Sequence, residues 1–223
     1  MSPSSPLLLQ DRAAAGRRLV EPLRQYAHRP DVIVLALPRG GVPVAYEVAM
    51  ALEVRLDLML VRKLGAPSNE EFALGAIASG GIQILNDHAL RAHPIDQATF
   101  DAVVARENRE LLRREQAYRG TREPVPLKDQ VVILIDDGLA TGASMMAAIQ
   151  AVRLQAPSRI VVAVPVAPIE TVEALRSEVD ELICPVVPDW FMSLGHWYMD
   201  FSQTSDAEVI KLLQRAWQRE AGI

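Results

Sequence analysis

The sequence predicts an α/β fold with a mostly parallel, twisted sheet that carries helices on both faces. Two observations predict it. Continuous apolar runs of strand length recur along the chain, and such runs are typical of strands buried on both faces. Segments with helical spacing separate most of these runs, as expected where crossover helices connect parallel strands. With 223 residues the chain can bury a substantial core, and we expect a single domain over residues 1–223.

The apolar pattern gives the expected elements in order. A helix is expected over residues 11–20 with Asp11 as its N-cap, and Pro22 separates it from a short helical segment at 23–26. We expect strands at 32–37, 56–61, 72–78, 82–85, 131–135, 160–164 and 182–187. Helices are expected between them at 43–52, 145–154 and 169–177. The turn Ser79-Gly80-Gly81 indicates that 72–78 and 82–85 pair with each other.

Residues 96–118 depart from this alternation because they form a long, highly charged helical stretch. Its apolar positions lie on one stripe: Phe100, Val103, Val104, Leu111 and Leu112. We interpret the stretch as a solvated helix that packs by this stripe on the sheet or on a second subunit, rather than as a catalytic element. It falls within a helical insertion or flap at 86–120.

The C-terminal segment, residues 185–223, is the second departure. Five of the eleven aromatic residues lie between 185 and 201, which is more than a simple connector requires: Trp190, Phe191, Trp197, Tyr198 and Phe201. Ser205 and Glu208 then form a capping box, which predicts a last helix that runs through Trp217.

Composition excludes several classes of function. The net charge of −5 argues against a general nucleic-acid binder, which needs a positive face toward phosphates. The apolar runs are far shorter than the roughly 20 residues of a membrane span, and no charged-then-apolar leader opens the sequence, so we expect a soluble protein. Cys184 is the single cysteine, which excludes disulfide scaffolds and cysteine zinc sites, favours a reducing cytoplasm, and indicates a small core residue rather than a nucleophile. The histidines are scattered without metal-ligand spacing: His28, His88, His93 and His196.

The stretch VVILIDDGLATGAS, residues 131–144, carries the main chemical signal. Asp136 and Asp137 follow a buried strand, and ligands of open α/β sheets bind outside the carboxyl ends of the strands. The small residues 138–142 then lead into a helix, whose first N–H groups attract phosphate, with the Thr141 and Ser144 hydroxyls beside them. One loop therefore offers carboxylates for hydroxyl groups and a cradle for an anion, which suits a sugar phosphate.

The sequence IDDGLATGAS resembles the phosphoribosyl-pyrophosphate motif of type I phosphoribosyltransferases. The resemblance implies that Asp136 and Asp137 hold the ribose and are the catalytic residues. It also implies that the following residues hold the 5′-phosphate: Gly138, Leu139, Ala140, Thr141, Gly142, Ala143 and Ser144. The chain lacks the GxxxxGK[ST] sequence that nucleotide hydrolases need. Ala140 replaces the aspartate of hypoxanthine-guanine enzymes, which argues against that substrate but not against catalysis.

The first strand-to-helix turn, LPRGGVPVA, supports the same resemblance. Gly40 and Gly41 allow the backbone to approach an anion at a helix start, and the turn is similar to the pyrophosphate loop of the family. The resemblance implies that Arg39, Gly40, Gly41, Arg62 and Lys63 bind the pyrophosphate. Alone, the two basic residues after the next strand would indicate a solvated strand end. The turn is not GxGxxG, which weakens a dinucleotide-binding alternative.

The resemblance extends over residues 32–187 in the order of loops found in the family, with a C-terminal hood at 185–223. The long helical stretch and the aromatic tail resemble an uncharacterised subgroup of phosphoribosyltransferase-like proteins. The family reaction transfers ribose-5-phosphate from phosphoribosyl pyrophosphate to a nitrogen acceptor, such as a nucleobase, and releases pyrophosphate. The resemblance further implies a homodimer and Mg²⁺ held mainly by the substrate, without a dedicated protein metal site. The hood residues expected on the acceptor side are Trp190, Phe191, Trp197 and Tyr198.

Two other functions stay open at this point. A regulatory protein could bind phosphoribosyl pyrophosphate or a nucleotide without turnover, because the same loop serves both uses. Retention of basic residues for the leaving group favours the enzyme. A nucleic-acid-binding regulator would need a local basic face, for which the candidates are Arg106, Arg109, Arg113 and Arg114.

Overall fold

The computed structural model describes residues 8–66, 69–92 and 95–222. In this part of the chain there are eight strands and seven α-helices. The first half contains α1 (Arg12–Val20), β1 (Val32–Ala36), α2 (Gly41–Leu52), β2 (Arg55–Leu58), β3 (Val61–Ala66), β4 (Asn69–Ala78), β5 (Ile82–Leu85), α3 (Asp87–Ala92) and α4 (Gln97–Arg119). The second half contains β6 (Val131–Ile135), α5 (Ala143–Arg153), β7 (Arg159–Ala163), α6 (Ile169–Arg176), β8 (Glu181–Ile183) and α7 (Asp206–Glu220), and 3₁₀ turns occur at Arg24–Tyr26 and Leu194–Trp197.

A five-stranded parallel sheet forms the centre of the molecule, with the strand order β2-β1-β6-β7-β8. Its inner strands β1 and β6 are apolar throughout because both faces are covered. In β6, Ile133 packs into one core cluster and its neighbours Val132 and Leu134 pack into the other. The first cluster joins the sheet to α1, α2 and α7, and the second joins it to α5 and α6. The predicted α/β fold with helices on both faces is therefore confirmed.

A second sheet, antiparallel and three-stranded, has the order β3-β4-β5. The hairpin of β4 and β5 was expected from the Ser79-Gly80-Gly81 turn, and both glycines there have positive φ angles of 84° and 73°. This sheet packs against α5.

The expectation of one strand over residues 56–61 is wrong, because the chain changes sheets within that range. Met59 N still donates to Ala36 O of β1 at 2.9 Å, whereas Leu60 O accepts from Ser79 N of the hairpin at 2.9 Å. Both sheets need apolar residues at these positions, since Leu58, Met59 and Leu60 are all buried. The continuous apolar pattern therefore hid the transition between β2 and β3.

The charged helix α4 packs on β3, β4 and α7 through the predicted stripe. Val103 and Leu111 are buried, Phe100 and Val104 pack against the core, and Leu112 is 53% exposed. The helix ends at a buried ion pair, in which Arg119 Nε donates to Asp57 Oδ1 at 2.9 Å. This pair ties the insertion to β2.

The helix caps agree with the sequence. The Asp11 carboxylate accepts a hydrogen bond from Ala14 N at 2.6 Å, and Ser205 Oγ accepts one from Glu208 N at 3.2 Å. The last helix, α7, continues beyond Trp217 to Glu220. In the described part of the chain, none of the helices has the length and apolar character required to cross a membrane.

Candidate functional site

The two aspartates lie at the carboxyl end of β6, on the side of the parallel sheet where the strands end and where ligands of such folds bind. Asp137 is buried, whereas Asp136 is half-buried. Asp136 Oδ1 accepts a hydrogen bond from the backbone N–H of Asp137 at 2.8 Å. Burial, together with the negative charge of Asp137, raises the pKa of Asp136 well above its ordinary value. The pair is therefore an asymmetric one, in which the two carboxyl groups have different partners.

Arg12, the first residue of α1, supplies the positive charge beside this pair. Its Nε donates to Asp137 Oδ2 at 2.7 Å, and its Nη1 donates to the backbone oxygen of Ser202 at 2.6 Å. The guanidinium carbon lies 4.1 Å from the centre of the Phe201 ring. Sequence reasoning missed this contact, because Arg12 and Asp137 are 125 residues apart and no motif includes the arginine.

The first strand-to-helix turn lies directly against the acidic pair. A Cβ atom on Gly40 would lie 2.1 Å from Asp137 Oδ2, and a Cβ atom on Gly41 would lie 2.7 Å from the backbone oxygen of Ile135. Both glycines are therefore required for the close approach of the two loops. The Arg39 side chain, after a cis peptide bond, lies with its Nη1 3.5 Å from Asp206 Oδ1 at the start of α7.

The loop between β6 and α5 is held by hydrogen bonds to Val166 and Thr171, and part of it is exposed to solvent. Leu139 N donates to Val166 O at 3.0 Å, and the Thr171 hydroxyl donates to Ala140 O at 2.7 Å. Gly142 has a φ of 71°, in the left-handed region, and precedes the first residue of α5. Thr141 and Ser144 are exposed. The first turn of α5 therefore presents N–H groups and hydroxyls to solvent, as an anion site requires.

A cavity of about 480 Å³ separates α5 from the antiparallel sheet. Lys63 of β3 lines it from one side and Ser144 of α5 from the other, with Asn86 and Gln150 as further polar groups. The structure thus brings Lys63, expected at the pyrophosphate, close to the end of the expected phosphate loop. The cavity volume is within the range of ordinary small-molecule sites.

Residues 8–201 of this chain match the family described as the phosphoribosyl transferase domain. The chain belongs to this family. Two curated proteins from Mycobacterium tuberculosis strains, both named provisionally as phosphoribosyl transferases, are 43% identical to it over 209 residues, or 94% of the chain. The chain spans about half, 47%, of the length of these relatives.

Solved structures agree with this membership. The crystal structure of TT1426 from Thermus thermophilus is 44% identical, has a TM-score of 0.82, and matches over 93% of this chain and 98% of that one. The AQ2163 protein from Aquifex aeolicus, with 12% identity and a TM-score of 0.51, matches over 91% of this chain and 84% of that one and shares the fold alone. The predicted family and fold of this phosphoribosyl transferase domain are confirmed, whereas the roles assigned to individual residues stay predictions.

Arg62, the other arginine expected at the pyrophosphate, points toward the insertion helix. Its Nε donates to Glu107 Oε2 at 2.9 Å, and Arg106 Nε donates to Glu107 Oε1 at 2.9 Å. Burial alone would raise the pKa of Glu107, but these hydrogen bonds outweigh burial and lower it. Arg62 is therefore held by α4 in this phosphoribosyl transferase domain, with a smaller cavity of about 270 Å³ beside it.

The four aromatic residues expected on the acceptor side have different surroundings. Trp197 and Tyr198 are buried with exposures of 7% and 6%, and the Tyr198 hydroxyl donates to the backbone oxygen of Asp137. Phe191 is half-buried and packs against the core. Trp190 is 81% exposed. The Tyr198 hydroxyl thus holds the backbone of the acidic loop. Trp190 is the most exposed of the four rings.

The remaining candidates have ordinary environments where the structure describes them. The α4 arginines are largely paired within the helix, since Arg113 and Arg114 both donate to Glu110, and these bonds lower the pKa of Glu110 to about 2. Burial raises the pKa of Cys184 to about 11, which does not suit a nucleophile. His28 lies 3.4 Å from Glu53, and the His196 ring meets Trp197 edge-on. His93 lies outside the described residues, and nothing is described of the His88 side chain.

Proposed function

We propose that the chain transfers ribose-5-phosphate from phosphoribosyl pyrophosphate to a nitrogen acceptor and releases pyrophosphate. One observation carries the proposal: the acidic pair lies between a glycine turn at the start of α2 and an exposed helix start at α5. A ribose with a phosphate at C5 and a pyrophosphate at C1 has hydroxyl groups between two anions. The site has the same order of carboxylates and anion-binding helix starts.

The acidic pair would act on the ribose. In the reaction the bond from C1′ to the pyrophosphate oxygen breaks and the acceptor nitrogen forms a new bond to C1′. Positive charge builds on the ring as the leaving group departs, so fixed negative charge near the ring stabilises the transition state. Asp136 and Asp137 supply that charge and the acceptor oxygens for the hydroxyl groups.

The two phosphate groups would bind at the two helix starts. The 5′-phosphate is assigned to Gly138–Ser144 and the first N–H groups of α5, and the pyrophosphate to Arg39, Gly40 and Gly41. The Gly41 N–H donates to Leu37 O at 3.1 Å in this structure, so it must exchange that partner for the anion. Lys63 lies across the cavity from Ser144 and can contact an anion bound at the first turn of α5. Mg²⁺ bound mainly by the substrate would neutralise pyrophosphate charge. No group of three or more metal-binding side chains exists among the described residues.

The acceptor would enter from the hood. The exposed Trp190 ring offers a stacking surface for a planar base, and base stacking on an aromatic ring is worth about 1–3 kcal/mol in nucleic-acid binders. A nucleobase is therefore the acceptor class we propose. A homodimer and a cytoplasmic location are part of the same proposal, as expectations from the family resemblance.

A regulatory protein that binds phosphoribosyl pyrophosphate without turnover is the alternative, and one observation favours it. Each of three charged groups assigned to the ligand already has a partner from another helix: Asp137 pairs with Arg12 of α1, Arg39 with Asp206 of α7, and Arg62 with Glu107 of α4. Turnover requires the two arginines to exchange these partners for the leaving group.

A screen for pyrophosphate release distinguishes the two functions. The protein is mixed with phosphoribosyl pyrophosphate and Mg²⁺, nucleobases and amines are added one at a time, and Asp136→Asn serves as the site control. Release that depends on one acceptor and is lost in the variant supports the enzyme. Binding of phosphoribosyl pyrophosphate without release for every acceptor would support the regulatory protein, and absence of binding would contradict both.

A further inference from the structure

Arg12 and Asp137 form the most enclosed ion pair at the candidate site. Their side chains are 12% and 11% exposed, and the contact between Nε and Oδ2 measures 2.7 Å. Such a pair is weakly screened by water and strongly directional. It connects the start of α1 with the end of β6, two elements that are far apart in the sequence.

Arg12 is itself fixed at three points, which distinguishes it from a surface arginine. The contacts are Asp137, the backbone oxygen of Ser202 and the Phe201 ring. The residues before α1 are tied to the hood as well. Leu9 N donates to Trp197 O at 2.9 Å, and Met199 N donates to Leu9 O at 2.8 Å. The guanidinium therefore has one defined position between α1, the hood and the acidic pair.

Two uncharged groups also lie against Asp137. Gly40 is so close that its Cβ position would overlap Oδ2, and the Tyr198 hydroxyl holds the backbone oxygen of Asp137. Asp136 differs, because it is half-buried and its side chain accepts the N–H of Asp137. Ribose hydroxyls can therefore approach Asp136 without breaking an ion pair, whereas they would have to displace Arg12 from Asp137.

We infer that Arg12 is a positioning residue that holds Asp137 in place, so that Asp136 is the carboxylate that receives the ribose hydroxyls. This inference rests on the proposed function and divides a task that the sequence assigns to both aspartates. The positive charge of Arg12 also lowers the pKa of Asp136, against the larger effects of burial and of the Asp137 charge, which raise it. The charged and titratable groups described beside Asp136 and Asp137 are Arg12 of α1 and Tyr198 of the hood, and Asp11 faces Tyr198.

A first experiment follows the Asp136 carboxyl by carbon NMR in ligand-free protein over a pH series. Its resonance is identified by its loss in Asp136→Asn. Arg12→Met should move the Asp136 midpoint to higher pH, since the pair loses its cation, and Arg12→Lys should return it most of the way. Arg12→Gln gives a second neutral variant with an amide donor if the methionine variant does not fold.

Arg17→Met is the matched control for these variants. Arg17 lies on the same helix, and its Nη1 lies 3.5 Å from Glu47 on the surface. Its removal should leave the Asp136 midpoint unchanged. Equal midpoints in Arg17→Met and Arg12→Met would overturn the inference, whether or not the protein binds a sugar phosphate.

A second experiment measures ribose-5-phosphate affinity by calorimetry over the same pH series. The affinity for ribose-5-phosphate should fall as pH is lowered and Asp136 is protonated. In Arg12→Met this fall should occur at higher pH, and the affinity of the variant should recover at alkaline pH. The ligand phosphate also titrates near pH 6, and the Arg17→Met curve corrects for it. A structural role alone would lower affinity by the same factor at every pH.

The double variant Arg12→Met/Asp137→Asn separates the roles of the two aspartates. It removes both charges of the ion pair but keeps the Asp136 carboxyl group, so it should lose less affinity for ribose-5-phosphate than Asp136→Asn does. Asp136→Asn should lose roughly tenfold or more at every pH at which Asp136 is ionised in the wild type. An equal loss in the double variant would show that Asp137 itself holds the ribose and would overturn the inference. Absence of binding by the wild type would contradict the proposed function, while the ligand-free titration still decides the role of Arg12.

Discussion

Asp136 and Asp137 are neighbours in the sequence, but their side chains have different electrostatic surroundings. Asp137 has a guanidinium partner at 2.7 Å, whereas burial and the charge of Asp137 raise the pKa of Asp136. A carboxyl whose pKa is raised by folding favours the folded state below its unfolded pKa of about 3.9, and this contribution is lost as pH rises through the folded pKa. As pH rises above the unfolded pKa, the Asp136 carboxyl group therefore lowers the free energy of unfolding relative to its value at acid pH.

Asp136→Asn should consequently stabilise the protein near neutral pH. The asparagine oxygen can still accept the Asp137 N–H, and the carboxyl group whose ionisation folding disfavours is removed. The gain should shrink as pH falls toward the unfolded pKa, where the wild-type carboxyl is also neutral. Urea unfolding of wild type and variant at several pH values measures it.

Asp206→Asn is the control of opposite sign. The Tyr118 hydroxyl, which donates to Asp206 at 2.7 Å, and then Arg39 lower the pKa of Asp206. The Asp206 carboxylate therefore stabilises the folded protein above its unfolded pKa, and this stabilisation is lost as pH falls through the folded pKa. Asp206→Asn should consequently be less stable than the wild type near neutral pH. The effect should be small because the Asp206 side chain is 54% exposed. The same sign for both variants would contradict the electrostatic asymmetry.

Sequence patterns could predict the acidic pair but not its partner. Asp136 and Asp137 follow a buried apolar strand, so their position at a sheet edge follows from local residues. Arg12 reaches them only because α1 and the hood fold over the site, and a contact across 125 residues leaves no local pattern. The Asp57–Arg119 pair was missed for the same reason, since 62 residues separate its members.

At the scale of elements, the glycine turn before α2 and the β6 loop fit together as one unit. Gly40 has φ and ψ values of −59° and −34°, which alanine adopts without strain. The methyl group of Gly40→Ala would nevertheless lie 2.1 Å from Asp137 Oδ2. Gly40→Ala should therefore cost about 1–3 kcal/mol of stability and displace the acidic loop.

A double-mutant cycle shows whether that contact is the cause. In an Asp137→Ala background the clashing carboxylate is gone, and Gly40→Ala should cost little. Urea unfolding of the four proteins gives the coupling free energy. An equal cost of Gly40→Ala in both backgrounds would mean that the two loops do not contact each other through these residues.

The tryptophans of the chain can report ligand binding at the hood through their fluorescence emission. The chain has three tryptophans: Trp190 is exposed, Trp197 is buried, and Trp217 Nε1 donates to Leu56 O. A nucleoside 5′-monophosphate should quench emission by stacking its base on Trp190, whereas ribose-5-phosphate should change emission little.

Trp190→Phe should remove this quenching, and Trp217→Phe should retain it. Equal changes with both ligands, or quenching that persists in Trp190→Phe, would show that the exposed ring does not meet the base. The acceptor would then have to bind elsewhere in the hood or be other than a planar base.

The sequence predicted some strands correctly and missed one boundary between strands. The strand Val131–Ile135 was predicted with the observed bounds, because it is apolar throughout and bounded by polar residues. The break between β2 and β3 was missed, because two strands of different sheets meet in one apolar run. Local pattern therefore identifies buried strands, but it does not show which sheet a strand joins.

At the scale of the whole molecule, three helices, α1, α4 and α7, pack around the sheets of this phosphoribosyl transferase domain. α1 and the residues before it hold the hood, α4 covers the antiparallel sheet, and α7 packs on α2 and β2. Each of them also contributes one charged partner to a site residue: Arg12, Glu107 and Asp206. The parallel sheet and its loops followed from alternating apolar runs, whereas these interactions depend on packing between distant segments.

The central claim is that this site binds phosphoribosyl pyrophosphate through the acidic pair, and calorimetry with Mg²⁺ tests it most directly. We predict binding to the wild type and a loss of roughly tenfold or more in Asp136→Asn, because a charged hydrogen-bond acceptor is removed. Asp129→Asn makes the same change at the amino end of β6, where the residue is exposed, and should bind like the wild type. Equal affinity of Asp136→Asn and wild type, or no binding by the wild type, would contradict the claim.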